Sequence, residues 1–219
     1  MHTWDVSVEE AIAIQERLRS LVQQTNGIAL EQIRTVAGID ASYHEIGRAA
    51  IVVFSFPDLE IVEQATATRE SVFPYTPGLL SFREGPVVLD AVEKLKVQPD
   101  LLIFDGQGYA HPRRFGLACH LGVYLDRPSI GCAKTRFIGS YDEPGPNKGD
   151  RSPLLDQDEI IGMVVRSRPQ TNPIFVSVGH KIDLETAVDV VLRCVRDYRL
   201  PETTRAADHL ANTTILPDV

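Results

Sequence analysis

The chain has 219 residues, a length that fits one domain and buries enough surface to fold without disulfide or metal staples. Hydrophobic residues make up 43% and charged residues 24%, which excludes wholesale disorder. The 22 Lys+Arg against 30 Asp+Glu give a net charge of -8, which on its own argues against a nucleic-acid partner. The acidity is uneven, however. Residues 1–105 carry 8 basic and 16 acidic side chains, whereas residues 106–219 carry 14 of each. No apolar run approaches the roughly 18–20 residues of a membrane span, and Met1-His2-Thr3-Trp4-Asp5 lacks the order of a signal peptide. Cys119, Cys132 and Cys194 are odd in number, widely spaced and flanked by apolar residues. They read as buried thiols in a reducing, cytoplasmic setting, with neither a zinc site nor a disulfide framework.

In chain order, Ser7 and Glu10 have capping-box spacing, and Ala11, Ile14, Leu18, Leu21 and Val22 recur at helical intervals behind them. Three β-like runs follow at 36–42, 49–56 and 60–67, broken by Gly47 and Pro57-Asp58, which predicts an antiparallel meander. Two prolines and a glycine exclude regular structure in Phe73-Pro74-Tyr75-Thr76-Pro77-Gly78. A helix is predicted over 84–97, then a central strand at 101–104, a helix over 115–125 and a strand at 129–133. Residues 139–153 read as a surface loop long enough for a functional role. Strands at 159–166 and 174–178, a helix starting at Asp183 and a last helix over 201–211 complete the chain. With no repeats and no linker, 1–219 reads as one α/β domain with a mixed sheet covered by helices.

Carboxylates stand out against this frame. Asp40 interrupts the apolar run Val36-Ala37-Gly38-Ile39, and Asp105 ends Leu101-Leu102-Ile103-Phe104 before two glycines. A charge in such a place costs several kcal/mol unless it is paired or binds a cation. Glu84 lies at a predicted helix start and Asp208 in the last helix. Singly, each also suits a turn or a helix cap. Together they are the oxygen ligands a hard cation needs, which points to Mg²⁺-dependent phosphoryl transfer without naming a substrate. Walker, dinucleotide, GxSxG and HExxH patterns are all missing.

Three stretches carry a family resemblance: Ala37-Gly38-Ile39-Asp40, the twelve residues from Phe73 to Glu84, and Asp105-Gly106-Gln107-Gly108-Tyr109-Ala110-His111-Pro112-Arg113. Gly131-Cys132-Ala133-Lys134, Gly179-His180-Lys181 and Leu200-Pro201-Glu202-Thr203-Thr204-Arg205 follow in order. The chain resembles endonuclease V, the deoxyinosine-directed repair nuclease. The resemblance implies a ribonuclease H-like fold and Mg²⁺ (with Mn²⁺ as a substitute) on Asp40, Glu84, Asp105 and Asp208, or on His209 in place of Asp208. It implies that Lys134 lies near the reacting phosphate, although by itself Lys134 reads as an exposed strand-end lysine. Pro74, Tyr75, Thr76 and Pro77 match a wedge that enters the duplex, the alternative being that Tyr75 packs under its own loop. Gly106, Gly108 and Gly116 match a backbone-lined pocket for hypoxanthine, with ordinary turn glycines the alternative for the first two. His111 matches a position near the metal, and His180 either contacts phosphate or supports structure.

The implied activity is hydrolysis of the second phosphodiester 3′ to deoxyinosine in DNA by a monomeric, membrane-free enzyme. The product ends are a 3′-hydroxyl and a 5′-phosphate. Inosine-containing RNA is the alternative substrate, and a non-catalytic nucleic-acid-binding module is the reading from another class. Arg113, Arg114, Lys134, Arg136, Lys148, Arg151 and Lys181 are the cations expected to face phosphates.

Overall fold

The computed structural model describes residues 2–43, 46–70 and 73–213. Helix α1 (Val8–Leu18) starts where the capping box predicts. Glu10 N–H donates to Ser7 Oγ at 3.2 Å and Ser7 N–H donates to Glu10 Oε2 at 2.8 Å. Its buried Ala11 and Ile14 pack with Phe73, Leu79 and Phe82. Strands β1 (Thr35–Tyr43), β2 (Gly47–Ser55) and β3 (Ile61–Arg69) form the expected antiparallel meander.

Helix α2 (Leu80–Val92) begins four residues before the predicted start and ends sooner. The chain turns helical as soon as the prolines and Gly78 are passed, and Pro86 is held inside the helix. Glu84 therefore sits in the second turn of α2 rather than at its start. Strand β4 (Leu101–Phe104), helix α3 (Leu117–Leu125) and strand β5 (Ser129–Ala133) follow the predicted order.

The segment 139–153 is less free than its composition implies. Strand β6 (Arg151–Asp156) starts inside it, and Ser140 bridges to Leu155. Pro153 argues against a strand, but β6 lies at the sheet edge, where a missing N–H is tolerated. The buried Arg166 guanidinium donates to the carbonyls of Gly145 and Pro144, both at 3.1 Å, and pairs with Glu143. Strands β7 (Glu159–Val165) and β8 (Ile174–His180) and helices α4 (Leu184–Arg193) and α5 (Glu202–Thr213) complete the described residues.

The eight strands lie in the order β3-β2-β1-β4-β5-β8-β7-β6. Strand β4 runs parallel to both β1 and β5, and β8 returns antiparallel to β5. This is the ribonuclease H-like mixed sheet. Strand alternation divides the core between its faces. Ala37, Ile39, Leu102 and Phe104 pack with Val87, Ala91, Ala118 and Leu121 of α2 and α3. Val36, Leu101, Ile103, Ile130 and Cys132 pack with Val188 and Val191 of α4 and with Ala206 and Leu210 of α5. At Gly38 a Cβ would come within 2.0 Å of the Thr203 carbonyl oxygen, so only glycine lets α5 lie this close on β1. All three cysteines are buried free thiols.

Candidate active site

The strand pairing itself brings the first two carboxylates together. Ile39 of β1 pairs with Phe104 of parallel β4, and Asp105 N–H donates to the Ile39 carbonyl at 2.9 Å. Asp40 is the next residue on β1, and Asp105 directly follows the end of β4. Ile39 and Phe104 point into the α2/α3 core, so alternation turns both carboxylates toward the other face, where α5 lies. Helix α5 contributes Asp208. One oxygen from each of Asp40, Asp105 and Asp208 lies within 4.8 Å of the others. His209 is exposed and points elsewhere.

Lys134 follows β5 directly. Its Nζ lies 2.7 Å from Asp105 Oδ2 and 3.4 Å from Asp208 Oδ1. Its backbone is pinned as well: the Arg199 guanidinium donates to the carbonyls of Lys134 at 2.5 Å, Asn172 at 2.9 Å and Pro173 at 3.0 Å.

One lysine does not offset this much negative charge. Burial, then the charge of Asp105, pushes the Asp40 carboxyl up to about 7, against the pull of Lys134. Burial also raises Asp105, although its hydrogen bond to Lys134 works the other way. Glu84, buried on α2, lies well above its ordinary range through burial and then the charges of Asp40 and Asp105. Burial alone would lower the Lys134 ammonium, but Asp105 and its neighbours raise it. An all-oxygen set whose carboxyls resist ionising together fits a hard divalent cation. Glu84 stands outside the group of three yet is coupled to two of its members.

Beside the carboxylates opens a cavity of about 330 Å³ whose wall includes both Asp105 and Lys134. Tyr75, Thr76 and Pro77 form part of its rim, and Tyr75 is 70% exposed rather than packed under its own loop. Pro74 is exposed outside the lining. The loop ends at Gly78, which adopts φ +81°. Its carbonyl oxygen accepts from Gln15 Nε2 at 3.0 Å, His111 Nε2 at 2.9 Å and Arg113 Nη2 at 2.8 Å. His111 thus latches the loop and is not one of the three clustered ligands. Burial, then Arg113, pushes its imidazole down to about 4, so it is neutral.

Gly106 and Gly116 line the cavity, and Gly108 does not. At Gly108 a Cβ would meet the Val178 carbonyl oxygen at 2.1 Å, so that glycine serves close packing against β8. His180 pairs across from Ser129, at the far end of β5 from Lys134. Its Nδ1 accepts from Gln23 N–H at 3.3 Å, and its Nε2 lies 3.6 Å from Asp126. It belongs to the support of the sheet's opposite end.

Among the cations expected to face phosphates, Lys134 and Arg136 border the cavity. Arg113 also reaches the rim, but its guanidinium is spent on Gly78 and on Gln15, at 2.6 Å. Arg114 pairs with Asp156 at 2.8 Å and Glu159 at 2.7 Å. Lys148 donates to the Val195 carbonyl, Arg151 pairs with Glu185, and Lys181 pairs with Asp126. Residue patterns alone missed Gln15, Thr135 and Phe137 as cavity wall, since they come from two distant segments outside the motifs. Ser81 and Gln107, also in the wall, lie within the Phe73–Glu84 and Asp105–Arg113 motifs.

The family model described as Endonuclease V matches residues 16–209. The chain belongs to the Endonuclease V family. Endonuclease V of Roseiflexus castenholzii is 52% identical over 217 residues, covering 99% of this chain and 97% of that protein. The crystal structure of Endonuclease V from Streptomyces avermitilis superposes with a TM-score of 0.88 at 43% identity, covering 95% of this chain and 93% of that one. Ciona intestinalis Endonuclease V, solved with a 24mer DNA containing an inosine followed by a ribo-adenosine, gives a TM-score of 0.84 at 31% identity. That match covers 94% of this chain and 96% of the Ciona chain. Endonuclease V chains are nucleases acting on phosphodiester bonds, and the acidic cluster is placed for that chemistry.

Proposed function

We propose that this chain, acting as a single catalytic domain, recognises deoxyinosine in DNA. In this reading it hydrolyses the second phosphodiester on the 3′ side of the lesion, using Mg²⁺ or Mn²⁺. The observation that carries the reading is the shared wall: Asp105 and Lys134 belong both to the charged cluster and to the cavity beneath the Tyr75 loop. Support for the lesion comes from the inosine-containing DNA bound by the Ciona relative.

Asp40, Asp105 and Asp208 would hold the cation, with Glu84 as the neighbouring fourth carboxylate. A bound divalent cation supplies Lewis-acid stabilisation of the phosphoryl oxygens and offsets the carboxylate charge. The chain's own residues do the rest. Lys134 Nζ, 2.7 Å from Asp105 Oδ2, offsets charge that develops on the non-bridging oxygens. Water attacks phosphorus and the bond from phosphorus to the 3′ oxygen breaks, which leaves a 3′-hydroxyl and a 5′-phosphate. Tyr75, exposed at the rim, fills the gap that the extruded base leaves in the stack. Weak pairing of hypoxanthine lowers the expense of extrusion. Gly106 and Gly116 present backbone to the base, and neutral His111 holds Gly78 and the loop in place.

The test is cleavage of a labelled deoxyinosine duplex with Mg²⁺ or with EDTA. Metal-dependent cutting directly after the lesion's 3′ neighbour supports the reading, and an uncut lesion strand or cutting in EDTA overturns it. Inosine-containing RNA is a second substrate to assay in parallel, because the relative's bound strand carries a ribonucleotide directly after the inosine.

A further inference from the structure

Ser81 lies in the cavity wall, and its hydroxyl ends a chain of hydrogen bonds that begins at His2. The direction of every bond in that chain is fixed from its far end. His2 Nδ1 lies 2.6 Å from the Thr3 carbonyl oxygen. A carbonyl only accepts, so this nitrogen carries the proton. His2 is half-buried, and burial holds its imidazole below the ordinary range, which leaves Nε2 with a lone pair. His120 Nε2 lies 2.7 Å away, so His120 donates there. His120 is wholly buried, and burial followed by the neighbouring His2 holds it well below its ordinary range, hence neutral. Its Nδ1 is then an acceptor, and Ser81 Oγ, 2.8 Å away, donates.

The hydroxyl proton of Ser81 is therefore committed to His120. What remains on Ser81 Oγ is lone pairs, which accept from a cavity occupant and cannot donate. We propose that Ser81 is a specificity-determining acceptor, oriented by His120 as a positioning residue, that selects a base presenting a ring N–H over one presenting a ring lone pair. This rests on the reading that the cavity receives the extruded base. The class selected is the 6-oxo purine in its lactam form, whose N1 carries a hydrogen. Adenine offers a bare N1 at that position, and two facing lone pairs with no proton between them leave both groups unsatisfied.

The experiment compares single-turnover cleavage of matched duplexes containing deoxyinosine or deoxynebularine, the purine nucleoside with a bare N1 and no 6-oxo group. Ser81→Ala is expected to lower the ratio of the two rates about tenfold, the effect of one hydrogen bond, through loss of the deoxyinosine rate. His2→Ala leaves Ser81 in place but frees the direction of the chain, and a smaller fall of the ratio is expected. A wild-type ratio in Ser81→Ala overturns the acceptor, and a wild-type ratio in His2→Ala overturns its orientation through His120. Failure of the wild-type chain to cut deoxyinosine at all would instead overturn the endonuclease reading, so the two failures are distinguishable.

Discussion

Two aspartate–lysine pairs, Asp105–Lys134 and Asp126–Lys181, each close at 2.7 Å at opposite ends of the sheet. Their carboxyls respond in opposite directions. The hydrogen bond from Lys181, then its charge, holds Asp126 below the usual carboxylate range. Asp105 lies above it, because burial outweighs the same kind of bond from Lys134. The Asp105 side chain is 9% exposed and the Asp126 side chain 75%. Asp105 also faces Asp208, whereas Asp126 faces His180 and Lys181. An ion pair by itself thus says little about function. Burial and the crowding of like charges set one pair apart, because both leave a charge imbalance that a further cation would relieve.

The sharpest way to break this contrast is to neutralise one carboxyl at each end. Asp105→Asn is expected to lower cleavage of a deoxyinosine duplex by about 1000-fold or more while the fold survives. Asp126→Asn should leave the rate within about twofold, and equal losses in the two variants would erase the distinction. Lys134→Ala comes next, with a loss of about 100-fold read in the chemical step under single-turnover conditions. Tyr75→Ala should weaken binding to a deoxyinosine duplex about tenfold, the scale of one stacked base. Its melting temperature should hold, since the ring is exposed. Unchanged affinity by fluorescence anisotropy would sink the wedge.

Charge imbalance also predicts a pH signature. The Asp40 carboxyl ionises at about 7 in the folded chain, against about 3.9 for an unperturbed aspartate. The unfolded state therefore loses its proton first as pH rises. The contribution is complete below about pH 4 and is lost as pH climbs through 7. Calorimetry without divalent cations should show melting falling between pH 5 and pH 8. Mg²⁺ at about 100 times its Kd should restore about 2.7 kcal/mol at the upper end, and Asp40→Asn should flatten the slope. A slope unchanged in that variant would remove Asp40 from the coupled set. The smallest effect belongs to the exposed pair: Lys181→Ala should move the melting temperature by about 2 °C or less.

Much of this protein was legible in one dimension because its informative patterns are local. Short apolar runs marked β1 and β4, and the charge closing each run marked Asp40 and Asp105. The capping box placed the start of α1, and the proline-rich run marked the exposed Tyr75 loop. The helix over 84–97 came out four residues late because the reading carried the breaking effect of the prolines too far downstream. Strand β6 was hidden by a proline that an edge position tolerates.

Tertiary structure alone decided what depends on which segments meet. The choice of Asp208 over His209 follows from the rotation of α5, set by its buried row Thr204, Ala207 and Ala211, since consecutive helix residues differ by about 100°. Gly108 and Gly106 look alike in the chain, but β8 packs against the first and the cavity opens beside the second. His180 fell at the far end of the sheet, and five of the seven candidate cations proved committed to protein partners, Arg113 at the cavity rim and the other four away from the site. The sequence determined which groups could carry the chemistry, because residue type and period are local properties. The fold decided which of them meet, because strand order, helix rotation and burial arise from contacts between distant residues.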